Sequence, residues 1–372
     1  MTTKVGDSVK LNGQMMSRDR VVATVVDGSV SGMDERLVPY GLRGGNLEGW
    51  LHSRAIDGHR THSRLLKKAL RLSGADDPEV ALKFHAATIT DSYWWRPEGS
   101  GLRYADVRFT FNHFDKLALR GDLNSMNHPE SPTPELTNTG SFEKCWRLED
   151  GAWWLYKAGD AAQVFSELFI YHLGRRLGFD MAEYLPAEAG CIKSRDFTEG
   201  AAVNFEPAEG LVGTDEDYGR SFEVFYGLDP ALAEQFLRII YLDTLVFNAD
   251  RHTQNYGVLR DVETGAALRM APNYDNNIAL LAYGGIKDEV SERDLLIHLF
   301  SELVRTDTRA RALAATLPRP TEAMVRACVR ETDTTIDADL VCRIVLNRTA
   351  RLEQVLSGNL DLGVSPQTQQ TF

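Results

Sequence analysis

The chain has 372 residues, of which 43% are hydrophobic and 25% charged, a composition typical of a folded globular protein rather than of a disordered or fibrous one. Its length exceeds the usual single-domain size of roughly 100–200 residues, so we expect two lobes or domains. With 41 Lys and Arg against 53 Asp and Glu, the net charge is −12. This balance argues against a nucleic-acid-binding surface over the whole protein, because phosphate contacts need clustered cations.

The N-terminus and the cysteines point to a cytoplasmic protein. No apolar stretch follows Lys4, so we expect no secretory signal. No window approaches about 18 uninterrupted apolar residues, and we therefore expect no membrane-spanning helix and no membrane partner. The four cysteines are far apart and form no CxxC pair, which favours reduced thiols over a disulfide framework or a zinc site.

The N-terminal third predicts a mixed α/β region, in which short strand-like runs with glycine turns come first. Residues 61–72 then place leucines and alanines at helical spacing. Asp77 and Pro78 predict the start of another helix, with Asp77 as the N-cap and Pro78 at the first helical position. The aromatic segment 91–97 is interpreted as packing rather than as a ligand platform.

Strands dominate the next part of the chain. A loop rich in Pro, Ser and Thr spans residues 128–140 and is the clearest internal break. Residues 141–148 and 152–158 predict a β-hairpin, because Asp150 and Gly151 between them form a favoured turn pair. The later elements are an amphipathic helix and two strand-like runs, at residues 161–177, 190–196 and 200–205.

From about residue 230 the pattern is mostly helical. Strands with one helix, followed by helices, predict an α+β layout of two unequal lobes. The predicted domains are an N-terminal α/β extension, a β-rich lobe, a helical lobe and a flexible tail, at residues 1–125, 126–207, 208–358 and 359–372.

A polar segment follows the long apolar helix that ends near Val246. It contains Asp250 and Asn255, and a predicted hairpin separates it from a second acidic run that ends at Asp275. One carboxylate can position or deprotonate a hydroxyl, while an amide oxygen and a second carboxylate can hold a hard cation such as Mg²⁺. Phosphoryl transfer requires this set of groups, since its demands are positioning and charge neutralisation.

The run Asp-Arg-His-x-x-Asn followed by Ala-Pro-x-Tyr-Asp resembles that of the HipA-like kinases, bacterial relatives of the protein kinase and phosphoinositide kinase superfamily. The resemblance implies a two-lobed protein kinase-like fold that uses ATP and Mg²⁺. It also implies that Asp250 is the catalytic base and that Asn255 and Asp275 bind Mg²⁺. The likeness covers roughly residues 55–290.

Two segments upstream extend this resemblance. The strand that carries Lys157 looks like the one with the ATP-contacting lysine, and Glu167 would be the acidic partner of that lysine. Residues 131–144, with Gly140 and Ser141, are similar to the loop that covers the phosphates. Taken alone, Lys157 could also be a solvated strand residue, so its catalytic assignment depends on the resemblance.

The resemblance further implies that ATP lies in the cleft between the two lobes. Lys157 would hold the α- and β-phosphates. The linker Glu206-Pro207-Ala208 would contact adenine through backbone groups.

Neighbouring residues are given supporting roles. His252 is interpreted as bracing the catalytic loop by hydrogen bonding rather than as an acid or base, and Asp243 as a structural polar group. After Asp275 the chain has Asn276-Asn277, where many relatives carry a small residue and glycine. Asparagine tolerates the left-handed conformation better than most residues, so the turn at the metal site can persist.

The leading hypothesis is an ATP- and Mg²⁺-dependent Ser/Thr protein kinase with an unknown protein acceptor and no direct contact with nucleic acid. The alternatives are a small-molecule or lipid kinase, and a catalytically silent nucleotide-binding module partnered with an antitoxin-like protein. A further hypothesis is autophosphorylation of the phosphate loop, whose hydroxyl residues are Ser131, Thr133, Thr137, Thr139 and Ser141.

Overall fold

The structure is a computed structural model that describes residues 11–124, 128, 130–188, 190–284, 290–291 and 293–357. The predicted tail at residues 359–372 lies outside these residues, as does the predicted absence of a leader at the N-terminus. None of the helices in the described part of the chain has the length and apolar composition needed to cross a bilayer.

The described residues form short strands and helices in alternation, with longer helices toward the C-terminus. The strands are β1 Gly13–Ser17, β2 Arg20–Val26, β3 Ser29–Ser31, β4 Tyr93–Pro97, β5 Lys144–Glu149, β6 Ala152–Ala158, β7 Tyr184–Pro186, β8 Cys191–Arg195, β9 Val203–Pro207, β10 Gly257–Asp261 and β11 Ala267–Met270. The helices are α1 Leu47–His52, α2 Ser63–Ala69, α3 Asp77–Leu82, α4 Tyr104–Val107, α5 Asp115–Arg120, α6 Ala161–Arg176, α7 Glu209–Val212, α8 Tyr218–Leu228, α9 Pro230–Val246, α10 Leu295–Thr306, α11 Thr308–Ala314, α12 Glu322–Glu331 and α13 Ala338–Leu356.

The chain divides into two compact units, each built from several segments of the sequence. The first unit consists of Met1–Asp160, Ala182–Asp215 and Thr253–Tyr274. The second consists of Ala161–Met181, Glu216–His252 and Asp275–Phe372. All the strands above belong to the first unit, whereas α6 and α8 to α13 belong to the second. The predicted α+β fold is thereby confirmed, and the predicted domain boundaries stay predictions.

Within the described residues, the strands of the first unit pair into three antiparallel sheets. Their strand orders are β3-β2-β1-β4, β5-β6-β8-β7 and β11-β10-β9. The predicted hairpin is confirmed as β5 and β6, which pair from Lys144 with Lys157 to Glu149 with Ala152. Asp150 and Gly151 at its turn have φ angles of 49° and 80°, the positive values that a type I′ turn requires.

Two local predictions are corrected by the structure. The N-cap of α3 is Asp76, not Asp77, because the Asp76 side chain accepts from the Glu79 amide in a capping box. The run predicted at residues 200–205 is shifted, since β9 extends to Pro207. Glu206 is therefore a strand residue paired with Val258 of β10, rather than part of an irregular linker.

The aromatic segment packs, as predicted. Trp94 is fully buried and Trp95 nearly so, and both belong to β4, which pairs with β1. At the start of this segment Asp91 accepts two hydrogen bonds of 2.9 Å from the buried guanidinium of Arg54. The segment is thus a fixed part of the N-terminal sheet.

The second unit is arranged around α9, which packs against α8, α10, α11 and α13. Most of its length is buried, including Phe236 and Ile240. Near its C-terminus the Thr244 carbonyl accepts from Arg348 Nε at 2.7 Å, and the Arg348 guanidinium is paired with buried Asp294. Burial and this ion pair fix the helix end from which the polar segment departs.

Candidate active site

The polar segment begins where α9 stops. Phe247 caps the helix in the left-handed conformation, with a φ of 51°, and its N–H bonds to the Asp243 carbonyl. This conformation turns the chain sharply out of the helix. Asn248 follows and is fully buried, whereas Asp250 is half-buried. The helix end therefore delivers Asp250 to a partly accessible position within the second unit.

Arg251 is the centre of a buried network in the second unit. Its Nε donates to Asp243 Oδ2 at 2.9 Å, and its Nη2 donates to Asp243 Oδ1 at 3.0 Å. The same Nη2 also donates to Asn276 Oδ1 at 2.7 Å. Such two-point charge-assisted hydrogen bonds fix orientation as well as contributing energy. The prediction that Asp243 is structural is confirmed.

Asn248 extends this network to Asp250. Its Nδ2 donates to Asp243 Oδ1 at 3.0 Å and to Asn276 Oδ1 at 3.2 Å. Its own Oδ1 accepts from the Asp250 amide at 3.3 Å. The loop is therefore braced through Arg251 and Asn248, for which the sequence pattern predicted no role. The available signal in the sequence was an Asp within the apolar run of α9, eight residues before an Arg.

The turn that carries Asp275 is held by α6. Glu167, fully buried in that helix, accepts from the Asn276 amide at 2.9 Å through Oε2. One residue earlier, Ser166 Oγ donates to the Ala279 carbonyl at 2.5 Å. The left-handed residue of the turn is Asp275 itself, with a φ of 60°, and not Asn276. Asn276 instead serves the turn through its side-chain hydrogen bonds.

Electrostatics distinguish Asp250 from an ordinary surface carboxyl. Partial burial raises the pKa of Asp250, and the nearby negative charge of Asp275 raises it further. The positive charges of His252 and Arg251 oppose this rise and lower the pKa. Two carboxyls of the second unit thus influence each other, and perturbed pKa values of this kind are common at functional sites.

Lys157 is a buried residue of the first unit. It lies in β6, paired with Lys144 on one side and with Ile192 of β8 on the other. Only 6% of its surface is exposed, and its Nζ is 5.8 Å from the centroid of the Tyr184 ring. The alternative that Lys157 is a solvated strand residue is therefore wrong.

The predicted phosphate loop lies just before β5. Gly140 has a φ of 93°, a conformation that side-chain-bearing residues rarely adopt. A Cβ at this position would also collide with Lys144 Nζ. Gly140 and Ser141 are exposed, whereas Lys144 is buried. The loop thus exposes its backbone near a buried lysine, an arrangement suited to approach by an anion.

Asn255 lies in a segment of the first unit that is tied to α7. The Glu209 amide donates to the Thr253 carbonyl at 3.0 Å, and the Ala208 amide donates to the Tyr256 carbonyl at 2.9 Å. These two bonds bracket Asn255, which is 7% exposed. The start of α7 therefore fixes the backbone on both sides of the predicted metal ligand.

Tyr274 supports the same segment from the other end of the hairpin. Its hydroxyl donates to the Gln254 carbonyl at 2.6 Å. Its ring contacts Phe197 and Phe205, with centroid separations of 5.5 and 5.8 Å. The tyrosine of the Ala-Pro-x-Tyr-Asp run is thus an anchor for the residue next to Asn255.

The contacts of Glu206 and Ala208 are known within the first unit, and their predicted role at adenine stays a prediction. The Ala208 amide is already bonded to the Tyr256 carbonyl. Glu206 is paired with Val258 in the β9–β10 ladder, and its carboxylate is buried beside Arg260. Both residues thus contact β10 or the segment just before it, because β9 continues to Pro207 through the stretch predicted to be a linker.

Asn255 and Asp275 offer the donor types that Mg²⁺ prefers, an amide oxygen and a carboxylate. They belong to different units. Within the described ranges, no group of three or more His, Cys, Asp or Glu residues could hold a metal ion. Each of the two side chains is of a type that suits Mg²⁺, which commonly takes few protein ligands and completes its shell with water and phosphate oxygens; their joint role as metal ligands stays a prediction.

The description HipA-like C-terminal domain fits residues 125–337, more than half of the chain. The chain belongs to the HipA-like family. The matched region contains Lys157, Asp250 and Asp275, so the family assignment covers the residues on which the resemblance depends. No curated protein sequence matches the chain.

Two solved structures are similar to this HipA-like chain. One is the complex of HipA, HipB and operator DNA from the toxin–antitoxin system of Shewanella oneidensis MR-1, with a TM-score of 0.55 and 13% identity. That match covers 93% of this chain and 99% of the other. The Helicobacter pylori proinflammatory kinase CtkA matches at a TM-score of 0.46 and 14% identity, over 59% of this chain and 91% of that one. The first likeness establishes a shared fold over nearly the whole chain.

Proposed function

We propose that this HipA-like chain is an ATP- and Mg²⁺-dependent kinase that phosphorylates Ser or Thr hydroxyls of a protein. The observation that carries the proposal is the network around Arg251. It joins the backbone of Asp250 to the turn of Asp275 through buried, directional hydrogen bonds. The network fixes the backbone beside two carboxyls, and phosphoryl transfer depends on charged groups held in fixed positions.

Each group has a role in phosphoryl transfer. Asp250 accepts the proton of the acceptor hydroxyl. The hydroxyl oxygen bonds to the γ-phosphorus, and the bond from that phosphorus to the ADP oxygen breaks. Lys157 neutralises the α- and β-phosphates, and the pairing of Glu167 with Lys157 stays a prediction. Glu167 also orders the turn of Asp275 through the Asn276 amide. Mg²⁺, held by Asn255 and Asp275, would supply charge neutralisation at the phosphates.

The phosphate loop supports a narrower form of the autophosphorylation hypothesis. Thr133 and Thr137 are buried and hydrogen-bonded, so they are poor acceptors in the folded protein. Ser131 is partly exposed, and Thr139 and Ser141 are exposed. A phosphate on one of these three would add negative charge beside the nucleotide phosphates and oppose ATP binding.

A protein acceptor is favoured over a lipid by the net charge of −12, because anionic membranes attract basic segments. The shared fold with HipA, which is found with HipB and operator DNA, supports an antitoxin-like protein as a binding partner. Co-expression with the product of an adjacent gene, followed by affinity purification, tests this partner. If the chain is purified alone after co-expression with each adjacent gene product, the proposed partner is contradicted.

Incubation of the purified chain with γ-labelled ATP and host lysate tests the proposed activity. We expect labelled protein bands that need Mg²⁺ and that disappear with Asp250→Asn. Label in lipid or small molecules would instead identify another acceptor class, and nucleotide binding without transfer would identify a silent module. Mass spectrometry of the chain after the same incubation tests the loop. Phosphate on Ser131, Thr139 or Ser141 is expected, and its absence from all three would contradict autophosphorylation there.

A further inference from the structure

Arg260 is a fully buried arginine in β10, outside the motifs discussed so far. Its Nε donates to the Gly265 carbonyl at 3.0 Å, and its Nη1 donates to the Val38 carbonyl at 3.1 Å. Its Nη2 donates to the Arg36 carbonyl, and its Nη1 is paired with Glu206. One guanidinium therefore joins the β9–β10 pair to backbone more than 200 residues earlier in the chain.

Glu206 meets the same N-terminal region through its carboxylate. Oε2 accepts from the Tyr40 amide at 2.7 Å, and Oε1 accepts from the Tyr93 hydroxyl at 2.9 Å. The Tyr40 ring lies against the Arg260 guanidinium, 4.1 Å from centroid to Cζ. Tyr93 opens the aromatic strand β4, so this strand also contributes to the cluster. We call these four residues, Tyr40, Tyr93, Glu206 and Arg260, the hairpin anchor.

Close backbone approaches accompany the hairpin anchor. A Cβ on Gly265, in the turn between β10 and β11, would collide with the Arg36 carbonyl. A Cβ on Gly210 in α7 would come within 2.8 Å of the Gly41 amide nitrogen. Glycine is therefore required at both contacts if the present spacing is to be kept. Residues 36–41 thus pack closely against the hairpin turn and against α7.

Both contacted elements carry the segment of Asn255. β10 begins at Gly257, two residues after Asn255, and a Cβ on Gly257 would collide with the Glu206 carbonyl. α7 bonds to the Thr253 and Tyr256 regions, as described above. A shift of β9, β10 or α7 would therefore move the Asn255 backbone directly.

We propose that residues 36–42 and Tyr93 position Asn255 for Mg²⁺ binding, acting through the buried Arg260–Glu206 pair. The inference rests on the proposed role of Asn255 as a metal ligand. In this proposal Arg260, Glu206 and Tyr93 are positioning residues, which act through the backbone of the segment that carries Asn255. The N-terminal region would then contribute to catalysis by holding the segment of Asn255 in place.

Two variants perturb the hairpin anchor to different degrees. Tyr93→Phe removes only the hydroxyl, which donates to Glu206 and accepts from Arg260 Nη1 at 3.2 Å. Gly265→Ala forces the turn away from the Arg36 carbonyl. Glu263→Gln is the matched control, because Glu263 joins the same hairpin to Arg20 by an exposed ion pair of 3.1 Å. Tyr93→Phe keeps the test open if Gly265→Ala does not fold.

Amide hydrogen exchange on the nucleotide-free full chain is the first readout. We expect Tyr93→Phe to speed exchange across residues 253–257 by about 5- to 30-fold, the range that corresponds to the loss of one or both of the buried hydrogen bonds made by the hydroxyl. Exchange in α10, in the second unit, should stay unchanged. Faster exchange confined to residues 36–42 and 93–97, with residues 253–257 as in the parent, would overturn the proposal.

The Mg²⁺ dependence of phosphate transfer is the second readout. Tyr93→Phe should raise the half-saturating Mg²⁺ concentration by about 3- to 10-fold. This is below the loss of metal affinity of about 10- to 100-fold that is typical when a direct hydrogen-bond partner of a metal ligand is removed. Transfer at saturating Mg²⁺ should stay near the parent value, and Glu263→Gln should match the parent throughout. An unchanged Mg²⁺ dependence would overturn the inference. If the parent transfers no phosphate, the proposed function fails, and hydrogen exchange alone decides whether the hairpin anchor positions this segment.

Discussion

Two buried arginine–carboxylate pairs support the candidate site, and they differ in reach. Arg251 and Asp243 are eight residues apart, and both belong to the second unit, at the end of α9. Arg260 and Glu206 are 54 residues apart in the first unit. The first pair braces the loop of Asp250 locally, whereas the second connects the segment of Asn255 to the beginning of the chain.

The partners of the two arginines also differ in kind. Arg251 bonds to the side chains of Asp243 and Asn276. Arg260 bonds to Glu206 but also to three backbone carbonyls, of Arg36, Val38 and Gly265. A side-chain partner can be removed by substitution, but a buried carbonyl cannot. The comparison teaches that the long-range pair is harder to replace, although the charges are buried to a similar extent.

Removal of the arginine from either pair should produce the largest effect. Arg251→Met and Arg260→Met each leave a buried carboxylate without its cation, which costs about 3–5 kcal/mol of the free energy of unfolding. Urea denaturation of purified variants measures this loss. Arg20→Met, at an exposed pair, is the control and should cost no more than about 1 kcal/mol. A loss under about 1 kcal/mol for either buried arginine would show that the pairs are not structural supports.

Replacement of both partners should separate the two pairs. Arg251→Met combined with Asp243→Leu should recover most of the lost stability, because Asn248 and Asn276 still bond to each other. Arg260→Met combined with Glu206→Leu should recover little. There the Arg36 and Val38 carbonyls and other backbone groups would stay buried and unpaired, at about 1–3 kcal/mol each.

The same denaturation series gives the outcome. Recovery in the Arg251 double variant but not in the Arg260 double variant supports the distinction between side-chain and backbone partners. Equal recovery of stability in both double variants would contradict this distinction, since the backbone carbonyls would then have found other donors.

A residue beside Asp250 and a residue of the hairpin anchor should also differ in their influence on the pH dependence of phosphate transfer. Burial, followed by the charge of Asp275, raises the pKa of Asp250, and His252 lowers it. His252→Gln removes the positive charge that stabilises the Asp250 carboxylate, so the pKa of Asp250 rises further. A base must be deprotonated, so activity is lost as pH falls through this pKa, and the acidic limb should move to higher pH. Tyr93→Phe in the hairpin anchor should leave the limb in place. A limb that moves to lower pH in His252→Gln would contradict the electrostatic account.

The smallest effect is expected at the exposed contact between the N-terminal sheet and the hairpin turn. Glu263→Gln breaks ion pairs with Arg18 and Arg20, at 3.6 and 3.1 Å. Solvent-exposed pairs contribute about 0–1 kcal/mol, so the thermal midpoint should be nearly that of the parent. A loss of stability as large as that in Arg260→Met would show that the N-terminal region is connected to the hairpin mainly at its exposed tip rather than through the buried hairpin anchor.

The features predicted from the sequence are those set by neighbouring residues. Asp150 and Gly151 determine the turn between β5 and β6 through their own backbone preferences, and the pattern around α6 is likewise local. The family of the chain was also evident, because the motif around Asp250 is short and continuous. The buried environment of Lys157, in contrast, depends on β8, which lies more than 30 residues later.

The features not predicted depend on distant partners. Glu206 precedes a proline and was interpreted as linker, but β10 pairs with this stretch and extends β9. The partners of Arg260 at residues 36–40 share no periodic pattern with it, so nothing in the local sequence indicates the contact. Asp76 and Asp77 are both able to cap α3, and only the capping box with Glu79 decides between them.

A comparison of Asp250→Asn with Asp275→Asn tests the central account, that Asp250 is the base and Asp275 a metal ligand of a kinase. Phosphate transfer from γ-labelled ATP and Mg²⁺-dependent binding of a non-hydrolysable ATP analogue would be measured for both variants. Asp250→Asn should lower transfer by about 10²- to 10⁴-fold, the usual contribution of a general base, while the analogue still binds. Asp275→Asn should weaken the Mg²⁺-dependent binding itself. Transfer by Asp250→Asn at a rate close to that of the parent would contradict the account.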